Sequence, residues 1–487
     1  MPTLKLGTEE LFTQLIRTTQ PRYLLRTFTT GTCAGSLGVG GIGNLGASAA
    51  SEANFSFENS FTEGAANSPL VIESSIGPYD YAVLKADRQD EMLRWLADNR
   101  YFVPAGTQEG IAPYVHAGAF FLALKLKSGK ATGDIQPVVL TYASDLPMIP
   151  IILTSVGAQE HMGVQVWMLG EGRAIPRNYN HVIVNDSHID WLRQAKNYND
   201  VVIAAVGEAP DKHAFVTEYA GSSDLMKDVL DGPTRFGQVS ELAALTDPAD
   251  FVEYLFLHGY AVSQNLGRPS LPPLLESLVL AQVPFPAGLR SVTNEQGYLQ
   301  SLRTYLGPWR MQHPEAFAGW TSTFDAPVLA AQLQEKVVAP ARAAGELFRQ
   351  HPSLTRLYTT LSPGDMTRDP VFSFNAGLPN VPRDHTATLQ IDCGLGGSVT
   401  SSPVTLTTEQ GWVFHLADRG APIELTHGPS ALRIETLAEE GEPVVVVDNR
   451  ALIFRMEGCG CSSVDPLVGV ALLAVLRRRR HHFTSST

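Results

Sequence analysis

The sequence predicts an α+β protein, with a mixed-sheet domain, a helical subdomain and a C-terminal β-rich segment. Three patterns carry this prediction. Between residues 70 and 184, apolar and β-branched runs of strand length recur, and in "AFFLALKLK" and "QPVVLTYA" they alternate with the period of two that puts successive side chains on opposite faces of a strand. From Val239 to about Leu361 the apolar residues recur at helical spacing, broken by Pro and Gly. From residue 387 to 448, short β-branched runs return at turn-length intervals.

In chain order, Thr8 followed by Glu9 and Glu10 opens a helix with Leu11, Phe12, Leu15 and Ile16 on one face and Pro21 beyond its end. This gives an N-terminal helical segment over 1–30. Residues 31–69, rich in Gly, Ser, Ala and Asn, offer little side-chain area to bury and read as a flexible loop. Within it Gly38, Gly40 and Gly43 satisfy G-x-G-x-x-G, and Gly31, Cys33 and Gly35 form a cysteine version of the nucleophile elbow. Both motifs require a strand-turn-helix setting that the surrounding residues do not supply.

The mixed domain is assigned to 70–235. "LVIESSIGPYDYAVLKA" reads as two strands around the Gly77-Pro78 turn, and "DRQDEMLRWLADNRY" as a helix capped by Asp87 with Met92, Leu93, Trp95 and Leu96 inward. A short helix around Tyr114 leads to "AFFLALKLK" and "QPVVLTYA", a predicted hairpin across "SGKATG". "MIPIILTSV", "VQVWMLG" and "HVIVN" read as further strands, and "HAFVTEYA" closes the domain. The helical subdomain is assigned to 236–382 and the β-rich segment to 383–458, the latter a small module of its own or a return to the first sheet. Residues 459–487 form a tail.

A chain of 487 residues, 44% hydrophobic and 17% charged, can bury a substantial core. Its net charge of -13 argues against a nucleic-acid binder, which needs a basic face. Four cysteines are too few for a disulfide scaffold and lack the paired spacing of a zinc site. Cys33 and Cys393 are the candidates for one long-range disulfide. Two free thiols are the alternative, since spacing alone does not bring two Cβ atoms together.

Among thirteen histidines the densest ligand-like set is His181, Asp186 and His188 in "HVIVNDSHID". With His181 starting a strand and His188 beside a helix, these side chains need not converge. His161 lacks the second histidine of a zinc helix, and no G-x-S-x-G elbow or P-loop is present. Trp167, Trp191, Trp309, Trp320 and Trp412 could line a ligand groove but fall within strand or helix patterns, which favours core packing. Glu208 with Asp211, and Glu439 with Glu440, lie in turn-like stretches and read as solvated. No catalytic set, metal site or cofactor is assigned.

The stretches "GPYDYAVLKA", "EMLRWLADNRYFVP", "GDIQPVVLTYASDLPMIPIILTSVGAQEHMGVQVWMLGEGRAIPRNYNHVIVN" and "HPSLTRLYTTLSPGDMTRDPVFSFN" together resemble the bacterial domain-of-unknown-function 2330 family, from about Leu4 to Pro382. The resemblance implies an exported envelope protein, usually made with a signal peptide. It assigns no reaction and no catalytic residue.

The tail resembles the myxobacterial carboxy-terminal sorting signal. "GCGCS" supplies Cys459 and Cys461, "PLVGVALLAVL" the apolar part, and Arg477, Arg478, Arg479 and Arg480 the basic cluster. This resemblance implies attachment to the membrane through the tail, then processing at a cysteine by a membrane-embedded sorting protease. Pro466 to Leu476 spans about 16 Å as a helix, against a hydrocarbon core of about 30 Å, so the run suits a transient anchor better than a permanent one. The arginines favour the cytoplasmic side and put the body of the protein outside the inner membrane. The first 25 residues carry no charged and apolar signal regions, so the same reading expects the true start to lie upstream. The sequence therefore predicts a cell-envelope or surface-attached protein, non-enzymatic, that binds or organises something there. The alternatives are an envelope hydrolase using Cys33 or a metal at His181 and His188, and a periplasmic ligand-binding module.

Overall fold

The computed structural model describes residues 3–34, 68–85, 87–130, 135–262, 269–291, 293–302, 306–317, 323–420 and 428–451. The fold is α+β with several mixed and antiparallel sheets. In chain order its strands are β1 (Thr3–Leu6), β2 (Arg22–Ala34), β3 (Leu70–Ile76), β4 (Tyr79–Lys85), β5 (Phe120–Leu126), β6 (Val138–Thr141), β7 (Met162–Gly170), β8 (Arg173–Pro176) and β9 (Asn180–Val184). They continue as β10 (Ala214–Ser222), β11 (Ser353–Leu361), β12 (Phe372–Asn375), β13 (Asp384–Ser398), β14 (Val404–Thr407), β15 (Val413–Leu416), β16 (Ala431–Thr436) and β17 (Val444–Asp448). The helices used below are α1 (Glu9–Thr19), α2 (Gln89–Asp98), α3 (Tyr198–Gly207), α4 (Ala326–Leu333) and α5 (Ala339–Gln350).

The centre is a six-stranded sheet in the order β17-β16-β9-β10-β11-β7. Strand alternation sorts its side chains. Val182, Val184, Ala214, Val216 and Ile434 face one way, onto Val202 and Val206 of α3 and onto Leu389, Ile391 and Leu406 of a second sheet, β15-β14-β13-β2. Phe215 and Leu357 face the other way and pack with Ala174 and Phe372 of the two-stranded ribbon β12-β8. The inner strands β9, β10 and β11 are thus covered on both faces, while the edge strand β17 is largely exposed. This explains why the inner strands read as continuous apolar runs rather than clean alternation.

Between β10 and β11 the chain makes the helical region, whose core gathers Phe251, Leu255, Leu275, Val279, Leu329 and Leu333. The passage from α4 to α5 goes through a π-helical turn over Gln334–Val338. Pro340 lies in the first turn of α5, lacks the N–H that regular i to i-4 bonding needs, and crowds the preceding turn, which the wider turn relieves. α1 is tied to this region by the bidentate bond from Arg235 Nη2 to Glu10, with the two side chains 11% and 10% exposed.

Several expectations are met. The strands around Gly77-Pro78 form and pair, α2 turns Met92 into its core, and the helical stripes after Val239 pack together. Others are corrected. "AFFLALKLK" and "QPVVLTYA" do not form a hairpin, because β5 pairs with β4 while β6 pairs with β1. Ile151–Thr154 is a helical turn, not a strand. Asp87 does not cap α2: Arg88 holds that position, and the Asp87 carboxylate accepts from the Gly118 amide. Phe12 and Ile16 of α1 are exposed, and only Leu15 of its apolar face is fully buried.

The segment boundaries shift too. Residues 22–34, read partly as helix and partly as loop, form the long strand β2. Gly38, Gly40, Gly43 and Gly35 lie outside the described residues. β11 and β12 lie in the span assigned to the helical subdomain but belong to the sheets. The C-terminal segment is not a module of its own, since β13 to β15 join β2 while β16 and β17 complete the central sheet.

Candidate functional site

β2 and β13 run parallel as neighbours, from the pair Arg22 and Asp384 to the pair Ala34 and Ser398. Near the end of this ladder Cys33 and Cys393 are joined as a disulfide, with Cα atoms 5.1 Å apart and 360 residues between them in sequence. Cys393 is buried and Cys33 packs against the same core as Trp191 and Trp412. Gly31 sits beside it at φ +78°, where a Cβ would overlap the Gly394 carbonyl, so this close strand contact requires glycine. In this state Cys33 has no thiol to act as a nucleophile.

His181, Asp186 and His188 do not converge on one point; each has its own partners. His181 Nδ1 lies 3.2 Å from Glu435 Oε2 and its Nε2 lies 3.2 Å from Arg173 Nη2. An arginine can only donate, so Nε2 accepts and the proton is on Nδ1, directed at Glu435. Burial and the charge of Arg173 hold the His181 pKa below the usual histidine range, against the opposing pull of Glu435. Burial works against the ionised form of Glu435, but the bond to His181 and the charges of Arg433 and Arg173 outweigh it and keep the carboxyl below its usual value. His188 Nε2 lies 3.0 Å from the Gly428 carbonyl oxygen. Among the described residues no group of three His, Cys, Asp or Glu side chains is arranged to hold a metal ion.

Asp186 is the most perturbed carboxyl. Burial pushes its pKa up to about 7, although Oδ1 accepts from Thr408 Oγ1 at 2.7 Å and Oδ2 from the Gln410 amide at 3.0 Å. Gln410 completes a clamp by accepting from the Asp186 amide and donating to the Val184 carbonyl. A carboxyl titrating near neutrality is often catalytic. Here both oxygens are engaged in tying the end of β9 to the turn between β14 and β15. Because the folded pKa lies above the unfolded one, the stabilisation from Asp186 is full below about pH 4 and is lost as pH rises through about 7. Asp186→Asn reproduces the protonated form, with an amide able to donate to Thr408. Urea midpoints measured from pH 4 to 8 should fall for the parent relative to the variant. Parallel pH profiles would show that the clamp does not titrate.

The other candidates are also structural. Glu208, read as solvated, accepts from the Ser430 and Ala431 amides at 2.7 and 2.9 Å and fixes the start of β16. Trp191 and Trp412 are buried in the core; Trp309 packs against the helical core; Trp320 lies outside the described residues. Trp167 donates from Nε1 to Thr19 Oγ1 and lies 5.5 Å under the guanidinium of Arg356. Arg356 itself forms a buried ion pair with Glu218 at 2.5 Å, the side chains 8% and 2% exposed. Sequence reading missed this pair and the Arg173–His181–Glu435 network, since Arg356 and Glu218 lie 138 residues apart, His181 and Glu435 lie 254 apart, and each sits singly in an apolar strand. The only local signal was Arg433 and Glu435, two apart in one strand and hence on one face.

A surface cleft of about 460 Å3 is lined by Ser68, Pro69, Lys85, Asp87, Arg88 and Glu91, and another of about 400 Å3 lies between α1 and the loop carrying Arg235. Neither reaches the buried networks. Among the described residues no helix is long and apolar enough to cross a membrane. Cys459, Cys461 and Arg477 to Arg480 lie outside the described residues. Residues 1–261 match the model of a family described as an uncharacterized protein conserved in bacteria, DUF2330. No curated protein and no solved structure matches the chain.

Proposed function

The chain belongs to the DUF2330 family, and from that premise we propose that it is an exported cell-envelope or surface-attached protein whose role is binding or structural. The observation that carries the reading is the Cys33–Cys393 disulfide. Such bonds form and persist in oxidising compartments and are rare in a reduced cytosol. Processing of the tail by a membrane-embedded sorting protease, at Cys459 or Cys461 after Arg477 to Arg480 have held the chain at the inner membrane, fits the same destination. Support for a binding or structural role over chemistry comes from the partners of the groups that could have been catalytic. His181, Asp186, Glu208 and Cys33 each hold one segment of the fold against another.

The test is to express the chain behind an added export signal and fractionate the cells, comparing the parent with Cys459→Ala, Cys461→Ala and the double change. The parent should reach the envelope or surface without its arginine cluster. At least the double variant should stay at the inner membrane with its tail intact. A parent that keeps Arg477 to Arg480 and stays in the cytosolic fraction would refute the proposal.

A further inference from the structure

Arg173 is 9% exposed, and yet its guanidinium forms no ion pair with a carboxylate among the described residues. Its hydrogen bonds go to uncharged acceptors: Nη2 donates to His181 Nε2 and, at 3.1 Å, to Thr217 Oγ1, and Nη1 donates to the Pro379 carbonyl at 3.3 Å. Its Nε–H has no partner among the described residues. The acid that belongs to this cluster, Glu435, is already engaged, with Oε2 facing His181 and Oε1 paired with Arg433. With His181 neutral, Arg173 and Arg433 supply two positive charges against the one negative charge of Glu435; Asp448, opposite Arg433 on β17, is itself paired with Arg450, so a surplus of one remains. Arg433 also has an unpartnered Nε–H and, at 21% side-chain exposure, forms the solvent side of the cluster.

An unpaired buried cation is strongly unfavourable, and arginines are almost never fully buried without a partner. We propose that the Arg173–Arg433 cluster is a binding site for a small monovalent anion, admitted past Arg433. One negative charge neutralises the surplus, and a small ion suits a site packed between β8 and the central sheet. The free Nε–H groups of the two arginines are the donors available to it. The site is independent of the export reading, since it rests on charge and hydrogen bonding alone.

The experiment is a thermal-unfolding titration of the full chain with sodium chloride, at fixed pH and with ionic strength held constant by sodium gluconate, whose anion is too large to enter. The melting temperature should rise saturably with chloride. Arg433→Lys, which keeps the charge facing Glu435 but removes the Nε–H donor, should weaken the apparent chloride affinity by about tenfold, the effect of losing one charged hydrogen bond. Arg173→Met should abolish the dependence where it folds. A melting temperature indifferent to the exchange of gluconate for chloride, or a chloride response unchanged in Arg433→Lys, would overturn the assignment.

Discussion

Replacing Cys33 and Cys393 together by Ala is expected to lower the free energy of unfolding by about 2–5 kcal/mol, the range found on removing a native disulfide. The bond closes a loop of 360 residues, so its loss restores much freedom to the unfolded chain. It also joins strands that no local turn could bring together, because β2 and β13 are parallel neighbours from distant parts of the chain. Without the covalent link, the β15-β14-β13-β2 sheet holds its first strand by backbone bonds and by the exposed Arg22–Asp384 pair. Urea unfolding of the parent with and without reductant, beside the double variant, checks this. Reduced parent and variant should coincide, well below the oxidised parent. Equal midpoints for all three would mean that the bond adds nothing.

Breaking the Arg356–Glu218 pair from one side should have a comparable effect. Arg356→Met leaves Glu218 charged and almost fully buried, and loss of one partner of a buried pair costs about 3–5 kcal/mol. The same change removes the Arg356 bonds to Thr19 Oγ1 and to the Ile16 carbonyl, together with the cation above Trp167, so α1 should loosen from the sheet first. Adding Glu218→Leu should recover a large part of the loss, because the remaining burial is then apolar on both sides. A double-mutant cycle in urea reads this directly. Additive losses would mean that the two side chains are not energetically coupled.

The fold class was legible because helical and strand periods occupy separate stretches of the chain. The pairings were less so, and the errors have physical causes. β11 places Leu354, Leu357 and Leu361 at spacings of three and four, which fit a helix template. It is a strand because Thr355, Thr359 and Thr360 are buried as well, and a strand covered on both faces shows no alternation. β1 and β6 have four residues each, too few for a period-two signal, so the natural guess paired β6 with its sequence neighbour β5. Ile151–Thr154 has strand-like composition, but Pro150 leads it into a turn that buries Ile151 against the central sheet. Tertiary packing overrides propensity in so short a segment.

The candidate site residues followed the same rule. Cys33 and Cys393 could be named from scarcity alone, whereas whether their Cβ atoms meet depends on the β2–β13 register. His181, Asp186 and His188 stand out as a possible ligand set because they are close in sequence. Their actual partners, Glu435, Thr408 and Gly428, come from the last third of the chain. Arg173 drew no notice, because one arginine in a four-residue strand looks like any surface charge until its burial is known.

The central claim is that this DUF2330 protein works outside the cytoplasm, with an oxidised core and a tail consumed on the way. Its most direct test is the intact mass of mature protein recovered from cells under alkylating, non-reducing conditions. The account predicts a chain that has lost Arg477 to Arg480, carries no alkyl group on Cys33 or Cys393, and is two hydrogens lighter than its reduced form. A full-length tail together with alkylated Cys33 and Cys393 would contradict it.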